Sequence, residues 1–254
     1  MISIWEDPEK SLAKSEIFIR HAAASGADII CFPEQFATGW DPCSPSNVEN
    51  IDDRIIPTLQ RYAREAGICI LGSFRERFTP GPRNTSVAIG SDGRILTTYS
   101  KIHLFTPAHE NRTFTSGTGL GIFSVGSLTC GIAICYDLRF PEVFSAYARS
   151  GVKVVFVPAA WPASRIRHWE LFISARAAEN QMYIVGINTT GKTPVDTYSG
   201  GSLTADPHGM IISRAHDAEQ LIFIDLDPTV VDTARSSFPV GSDRKDALYR
   251  DLVQ

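Results

Sequence analysis

Apolar and polar positions alternate along this chain in blocks, and each block has the period and the boundaries of a helix or a strand. Asp7-Pro8 sets an N-cap before a proline, and the helix it opens runs through Leu12, Ile17 and Ile19 to Ser25, where Gly26 stops it. The apolar run 27–32 predicts a strand ended by Pro33. Residues 40–52, rich in Asp, Pro, Ser and Asn, predict a loop able to rim a site. A helix over about 53–66 ends at Gly67, and a strand over 68–74 follows. Strands 84–90 and 94–100 are joined by Ser91-Asp-Gly93, a hairpin signal. Residues 103–120 predict a long loop.

The run from Leu128 to Ile134, rich in apolar and β-branched residues, predicts a buried strand. Pro141 opens a helix to about Ser150, and Val152 to Pro158 predicts a second buried strand. A helix then reaches about Asn180, with Leu171, Ile173, Ala175 and Ala178 apolar. A strand from Met182 to Asn188, a loop over 189–199 and strands near 200–205, 210–215 and 220–226 complete the pattern. Asp227-Pro228 caps a last helix before a polar tail. Helices and strands alternate early, and strand pairs alternate with helices later, so the class is α/β. No linker, composition shift or internal repeat divides the chain, and residues 1–254 are expected to form one domain. The pattern alone leaves the order of layers open.

Composition narrows the partners. Hydrophobic residues make up 43% of the chain, enough for a sizeable core, and the formal charge of −4 comes without any basic run. Neither nucleic acid nor a membrane is therefore an expected partner. The five cysteines, at 31, 43, 69, 130 and 135, contain no CxxC pair and no metal spacing. That usage predicts reduced thiols in a cytoplasmic compartment, and no metal site. The sequence shows no signal segment and no apolar run long enough to cross a membrane. Asn84-Thr-Ser, Asn111-Arg-Thr and Asn188-Thr-Thr match glycosylation sequons, which carry no meaning in that compartment. Gly117-Thr-Gly-Leu-Gly121 precedes a strand rather than a helix, so a phosphate-loop reading is rejected.

Candidate chemistry gathers at three strand ends. Cys135 closes the 128–134 strand just before a helix, where backbone N–H groups and the positive end of the helix favour thiolate. A buried structural cysteine is the alternative. Glu34 follows the 27–32 strand, and Lys101 ends the 94–100 strand. Each alone reads equally well as a solvated charge. At the mouth of one sheet they would supply a nucleophile, a proton shuttle and a cation.

The segments Phe32-Pro-Glu-Gln-Phe-Ala-Thr-Gly39, Tyr99-Ser-Lys-Ile-His-Leu-Phe105 and Gly131-Ile-Ala-Ile-Cys-Tyr-Asp-Leu-Arg-Phe-Pro-Glu142 resemble, in order, the three signature motifs of the nitrilase, or carbon–nitrogen hydrolase, superfamily. The resemblance covers nearly the whole chain. It implies a four-layer α-β-β-α sandwich, pairing of two copies as a homodimer, and a catalytic set of Glu34, Lys101 and Cys135. In that set Cys135 attacks a small-molecule amide. Lys101 and the backbone N–H of Tyr136 hold the oxyanion. Glu34 moves protons and then activates water, with no metal or organic cofactor. Phe32, Phe36 and Trp40 are expected to wall Glu34 and raise its pKa. Glu110 matches a second glutamate of the family, which orients Lys101 or the substrate; a loop-surface carboxylate is the alternative. Family members usually carry a complete apolar strand before the first helix, where this chain has Met1 to Ile4.

Within the superfamily, Cys135-Tyr-Asp resembles the amidase branches rather than the Cys-Trp-Glu of true nitrilases. Trp161-Pro-Ala-Ser-Arg165 and Ala175-Arg-Ala-Ala-Glu-Asn-Gln181 resemble the ω-amidases, which hydrolyse 2-oxoglutaramate and related ω-amides of dicarboxylates. N-carbamoyl-amine hydrolases share similar segments. Arg165, Trp161 and Phe36 are the expected substrate-binding residues. Arg165 is favoured over Arg167 as carboxylate receptor, and Arg139 is expected in an ion pair with a carboxylate such as Glu142. Two further readings stand beside these: a Cys/His hydrolase using His103 or His168 as base, and a non-catalytic binding protein.

Overall fold

The computed structural model describes residues 1–251. Its elements in chain order are α1 (Pro8–Ala24), β1 (Ile29–Cys31), β2 (Val48–Glu49), α2 (Ile55–Ala66), β3 (Cys69–Glu76), β4 (Arg83–Ile89), β5 (Ile95–Ser100), α3 (Glu110–Thr113), β6 (Gly121–Val125) and β7 (Leu128–Ile132). There follow α4 (Pro141–Arg149), β8 (Val154–Ala159), α5 (Ile166–Asn180), β9 (Tyr183–Asn188), β10 (Thr190–Lys192), β11 (Thr197–Ser199), β12 (Leu203–Ala205), β13 (Ile211–Arg214), α6 (Pro228–Ser237) and α7 (Asp246–Asp251). The expected punctuation operates locally. Asp7 accepts from the Lys10 N–H at 3.1 Å to cap α1, and Gly67 ends α2 in the left-handed region.

Two sheets form. One runs β1-β3-β4-β5, with β2 alongside the far end of β3. The other runs β13-β12-β9-β8-β7-β6 and is parallel only at its centre, β7-β8-β9. Side-chain alternation in the first sheet decides the layers. Ile70 and Phe74 of β3, with Val87 and Ile89 of β4, pack with Leu12 and Ile19 of α1 and Ile56 and Leu59 of α2. Their strand neighbours Leu71 and Ala88 face the other way, into a cluster with Cys130, Ile132, Val154 and Leu203 of the second sheet. That cluster also takes in Tyr147 of α4 and Trp169, Ile173 and Ala177 of α5. The order is therefore helix, sheet, sheet, helix, the α-β-β-α sandwich. Gly131 permits one close approach: a Cβ there would lie 2.8 Å from the Tyr147 ring. Tyr147 donates its hydroxyl to the carbonyl of Ile132 and so locks α4 onto β7.

Three expectations fail. Residues 220–226 form no strand; they run without a ladder and line, together with β1, a cleft of about 660 Å³. Ile222 and Phe223 are exposed as a result. Conversely, the expected loop 189–199 contains the antiparallel pair β10-β11. The expected strand 27–32 keeps its ladder only over β1. Among the described residues, no helix is long and apolar enough to cross a membrane.

Candidate active site

The ends of β1 and β5 bring Glu34 and Lys101 together, and the short α3 adds Glu110. Lys101 Nζ donates to Oε1 of Glu34 at 2.8 Å and to Oε2 of Glu110 at 2.9 Å. All three side chains have no exposure. Asn84 of β4 ties the two carboxylates from the side, donating to Glu34 Oε1 at 2.7 Å and to Glu110 Oε1 at 3.3 Å. The other oxygen of Glu34 accepts from the Ala160 N–H at 3.0 Å, just beyond β8. Glu110 also accepts from the Phe105 N–H at 2.6 Å, so it is no surface carboxylate.

Cys135 lies beside Glu34, at the start of a 3₁₀ turn spanning Cys135–Arg139, with a left-handed φ of 45°. A cysteine in that region is held there by its surroundings. The holder is Asp137, fully buried. Its carboxylate accepts from the Ile134 N–H at 2.9 Å, the Tyr99 hydroxyl at 2.7 Å and the His103 N–H at 2.8 Å. The His103 ring stacks on Phe140, with Nδ1 2.9 Å from Asp137. His103 therefore braces the turn from Asp137's side. His168 meets Arg139 at 3.4 Å. The Tyr136 N–H, in the first turn of a 3₁₀ helix, has no partner within that helix and is free to meet an oxyanion.

Electrostatics set the resting protonation. Burial, followed by the Glu34 charge, pushes the Cys135 thiol well above its ordinary range, against the opposing pull of Lys101 and the Ala160 N–H. Burial thus works against the thiolate that the helix end was expected to favour. Burial also raises Glu34, with Glu110 adding to it and Lys101 opposing. For Lys101, burial alone would strip the proton, but the charges of Glu110 and Glu34 outweigh it and hold the ammonium above its usual range.

A small cavity opens onto Cys135 and Lys101. Its walls include Trp40, Phe105, Tyr136, Trp161, Arg139 and Arg165. Trp161 is fixed by its N–H to Asn188 at 2.7 Å and by Nε1 to the Arg165 carbonyl at 2.8 Å. Arg167 is exposed and lies outside the walls. Phe36 is a correction. The left-handed Gln35 turns the chain, and Phe36 stacks on Phe32 at 4.7 Å between ring centroids, within the α1–α2 core and away from the cavity. Arg139 is another: among the described residues it pairs with no carboxylate, Glu142 included, and it faces the cavity. Asn84 went unread because its sequence looks like an idle sequon. Its position on β4 facing Lys101, whose N–H bonds the Asn84 carbonyl at 2.9 Å, is visible only once the strands pair.

The carbon-nitrogen hydrolase family model matches residues 2–236. A 2-oxoglutaramate amidase of Bacillus subtilis (strain 168) is 31% identical over 244 residues, covering 95% of this chain and 94% of the relative. An omega-amidase of Homo sapiens is 30% identical over 243 residues, covering 91% and 88%. Among solved structures, a mutant of the amidase from Nesterenkonia sp. AN1 superposes with a TM-score of 0.87 at 25% identity, over 99% of this chain and 96% of that one. That protein carries acrylamide added at its active-site cysteine.

Proposed function

This chain belongs to the carbon–nitrogen hydrolase family, and from that premise we propose that it hydrolyses the ω-amide of a dicarboxylate, such as 2-oxoglutaramate, through a Cys135 thioester. That it is a hydrolase of carbon–nitrogen bonds follows from the family and from its amidase relatives. The observation that carries the finer reading is the buried Cys135 set beside Glu34, with Lys101 bonded to the same carboxyl group at 2.8 Å.

In this reading the Cys135 sulfur attacks the amide carbon as its proton passes to Glu34. The carbonyl oxygen becomes an oxyanion facing the Lys101 ammonium and the Tyr136 N–H. Glu34 returns the proton to the departing nitrogen, so ammonia leaves and the thioester remains. Water then gives a proton to Glu34 and attacks the thioester, and the released sulfur recovers that proton, leaving a carboxylic acid that ionises. A carboxylate that alternately takes and gives a proton works best with a pKa moved toward neutrality, the direction in which burial moves Glu34. Glu110 positions Lys101 and keeps it charged. Arg165 and Trp161, as cavity walls, receive the remainder of the substrate. In this reading two copies pair as a homodimer, as the family resemblance implies.

An ammonia-release panel tests the reading: 2-oxoglutaramate, succinamate, glutamine, N-carbamoyl amino acids, N-carbamoylputrescine and simple nitriles. Preference for the dicarboxylate amides supports it. Preference for a carbamoyl substrate or a nitrile overturns it.

A further inference from the structure

The two arginines on the cavity wall differ in how they are held. Arg139 has its guanidinium carbon 5.0 Å from the ring centroid of Trp161, 5.2 Å from that of Phe172 and 6.0 Å from that of Tyr136. The backbone beneath it is clamped by the buried Arg176 of α5, which donates to the carbonyls of Leu138 and Arg139 at 3.0 Å each. Arg165 rests on the single ring of Phe105 at 5.4 Å and sits at the end of a 3₁₀ turn, Ala163–Arg165. Among the described residues neither guanidinium pairs with a carboxylate. Asp196, the acidic residue of the cavity wall, accepts from the Thr197 N–H at 2.7 Å instead of pairing with either arginine.

We propose that Arg139 is the fixed receptor for the distal carboxylate of the substrate, and that Arg165, on the same cavity wall beside Trp161, closes over that carboxylate. The proposal rests on the ω-amide reading and names its specificity residue. Lys101 cannot serve, because both of its carboxylate partners already claim it. Arg139 presents a planar fork suited to two carboxylate oxygens. Its desolvation is already met in the folded protein, where burial and the neighbouring Arg165 charge hold its pKa below the ordinary value. An anion placed between the two guanidinium groups relieves that repulsion. The cavity itself is about 30 Å³, room for little more than a water or two. An amide of several carbons is larger than this space, and of the two arginines the one held by one ring moves more readily than the one held by three and clamped from behind.

Two amides that differ only at the far end test this: succinamate, ending in a carboxylate, and butyramide, ending in a methyl. For the wild type, kcat/KM is expected to favour succinamate. In Arg139→Met that preference should fall tenfold or more, chiefly through KM. Arg165→Met should lower it less, and Arg139→Lys should retain part of it, since an ammonium keeps the charge without the fork. The inhibition constant of succinate should weaken in step with the preference. Equal loss on both amides in a variant that melts as the wild type does makes Arg139 a structural residue and overturns the proposal. So does a preference lost in Arg165→Met but kept in Arg139→Met. A wild type indifferent to the carboxylate overturns the ω-amide reading as well, and the wild-type kinetics alone reveal that case.

Discussion

Asn84 donates from Nδ2 to Oε1 of Glu34 at 2.7 Å, and both side chains are out of contact with solvent. A donor aimed at a buried carboxylate stabilises its charged form by about 1.5–3 kcal/mol. If Glu34 must be unprotonated to take the Cys135 proton, kcat/KM rises with pH through the raised pKa of Glu34. Asn84→Ala should move that acid limb upward by about one to two pH units. A pH–rate profile checks this, and an unmoved limb removes Asn84 from the control of Glu34.

Lys101→Met should abolish turnover and also cost stability. It leaves Glu34 and Glu110 buried without their shared cation, for which about 3–5 kcal/mol is typical. Adding Glu110→Gln should restore much of the stability and none of the activity. Denaturant midpoints separate the two effects, and a single variant as stable as the wild type argues that water replaces the ammonium.

Cys135→Ser should fold and lose essentially all turnover, because the alcohol is a poor nucleophile in a site built for sulfur. Intact-protein mass spectrometry of the wild type mixed rapidly with substrate should show an acylated species that the variant lacks. Cys31, Cys43, Cys69 and Cys130 should each be replaceable with little catalytic loss. Iodoacetamide should end turnover; a thiol-blocked protein with full activity rules out the thioester.

Stability should fall on the alkaline side. Burial raises the thiols of Cys31 and Cys135 well above their ordinary range and Cys130 to about 12, against a reference near 9.0. Below pH 9 neither the folded nor the unfolded chain ionises them. Between pH 9 and about 12 the unfolded chain releases the Cys130 proton while the folded chain retains it, so stability is lost as pH rises. Each such thiol contributes a slope of about 1.4 kcal/mol per pH unit. Urea midpoints from pH 8 to 10.5 should fall less steeply in Cys130→Ala, by one proton's worth, and identical slopes would contradict the linkage.

The strand ends that present Glu34, Lys101 and Cys135 were legible in the sequence, because an apolar run stopped by a charge or thiol marks the rim of a sheet. The layers were not, since alternation along β3 and β4 assigns faces only when both covering surfaces are known. Phe36 lies two residues from Glu34, but the left-handed Gln35 between them turns the chain, and the ring packs into the α1–α2 core instead of the cavity. Arg139 misled for a related reason: Glu142 is three residues away, but a 3₁₀ turn ending at Arg139 and a new helix from Pro141 break the spacing that would have paired them. Asp137 was visible as a motif letter, while its hold on Ile134, Tyr99 and His103 depends on three separate elements meeting.

The backbone at Cys135 adopts a conformation that suits glycine, and a residue with a Cβ there costs about 1–3 kcal/mol. Chemistry and folding therefore ask for different residues at one position. Cys135→Gly would relieve that backbone strain and would have nothing with which to attack. Any selection for thermal robustness alone would drift toward that inert protein, and only a screen that also demands turnover would keep the sulfur in place.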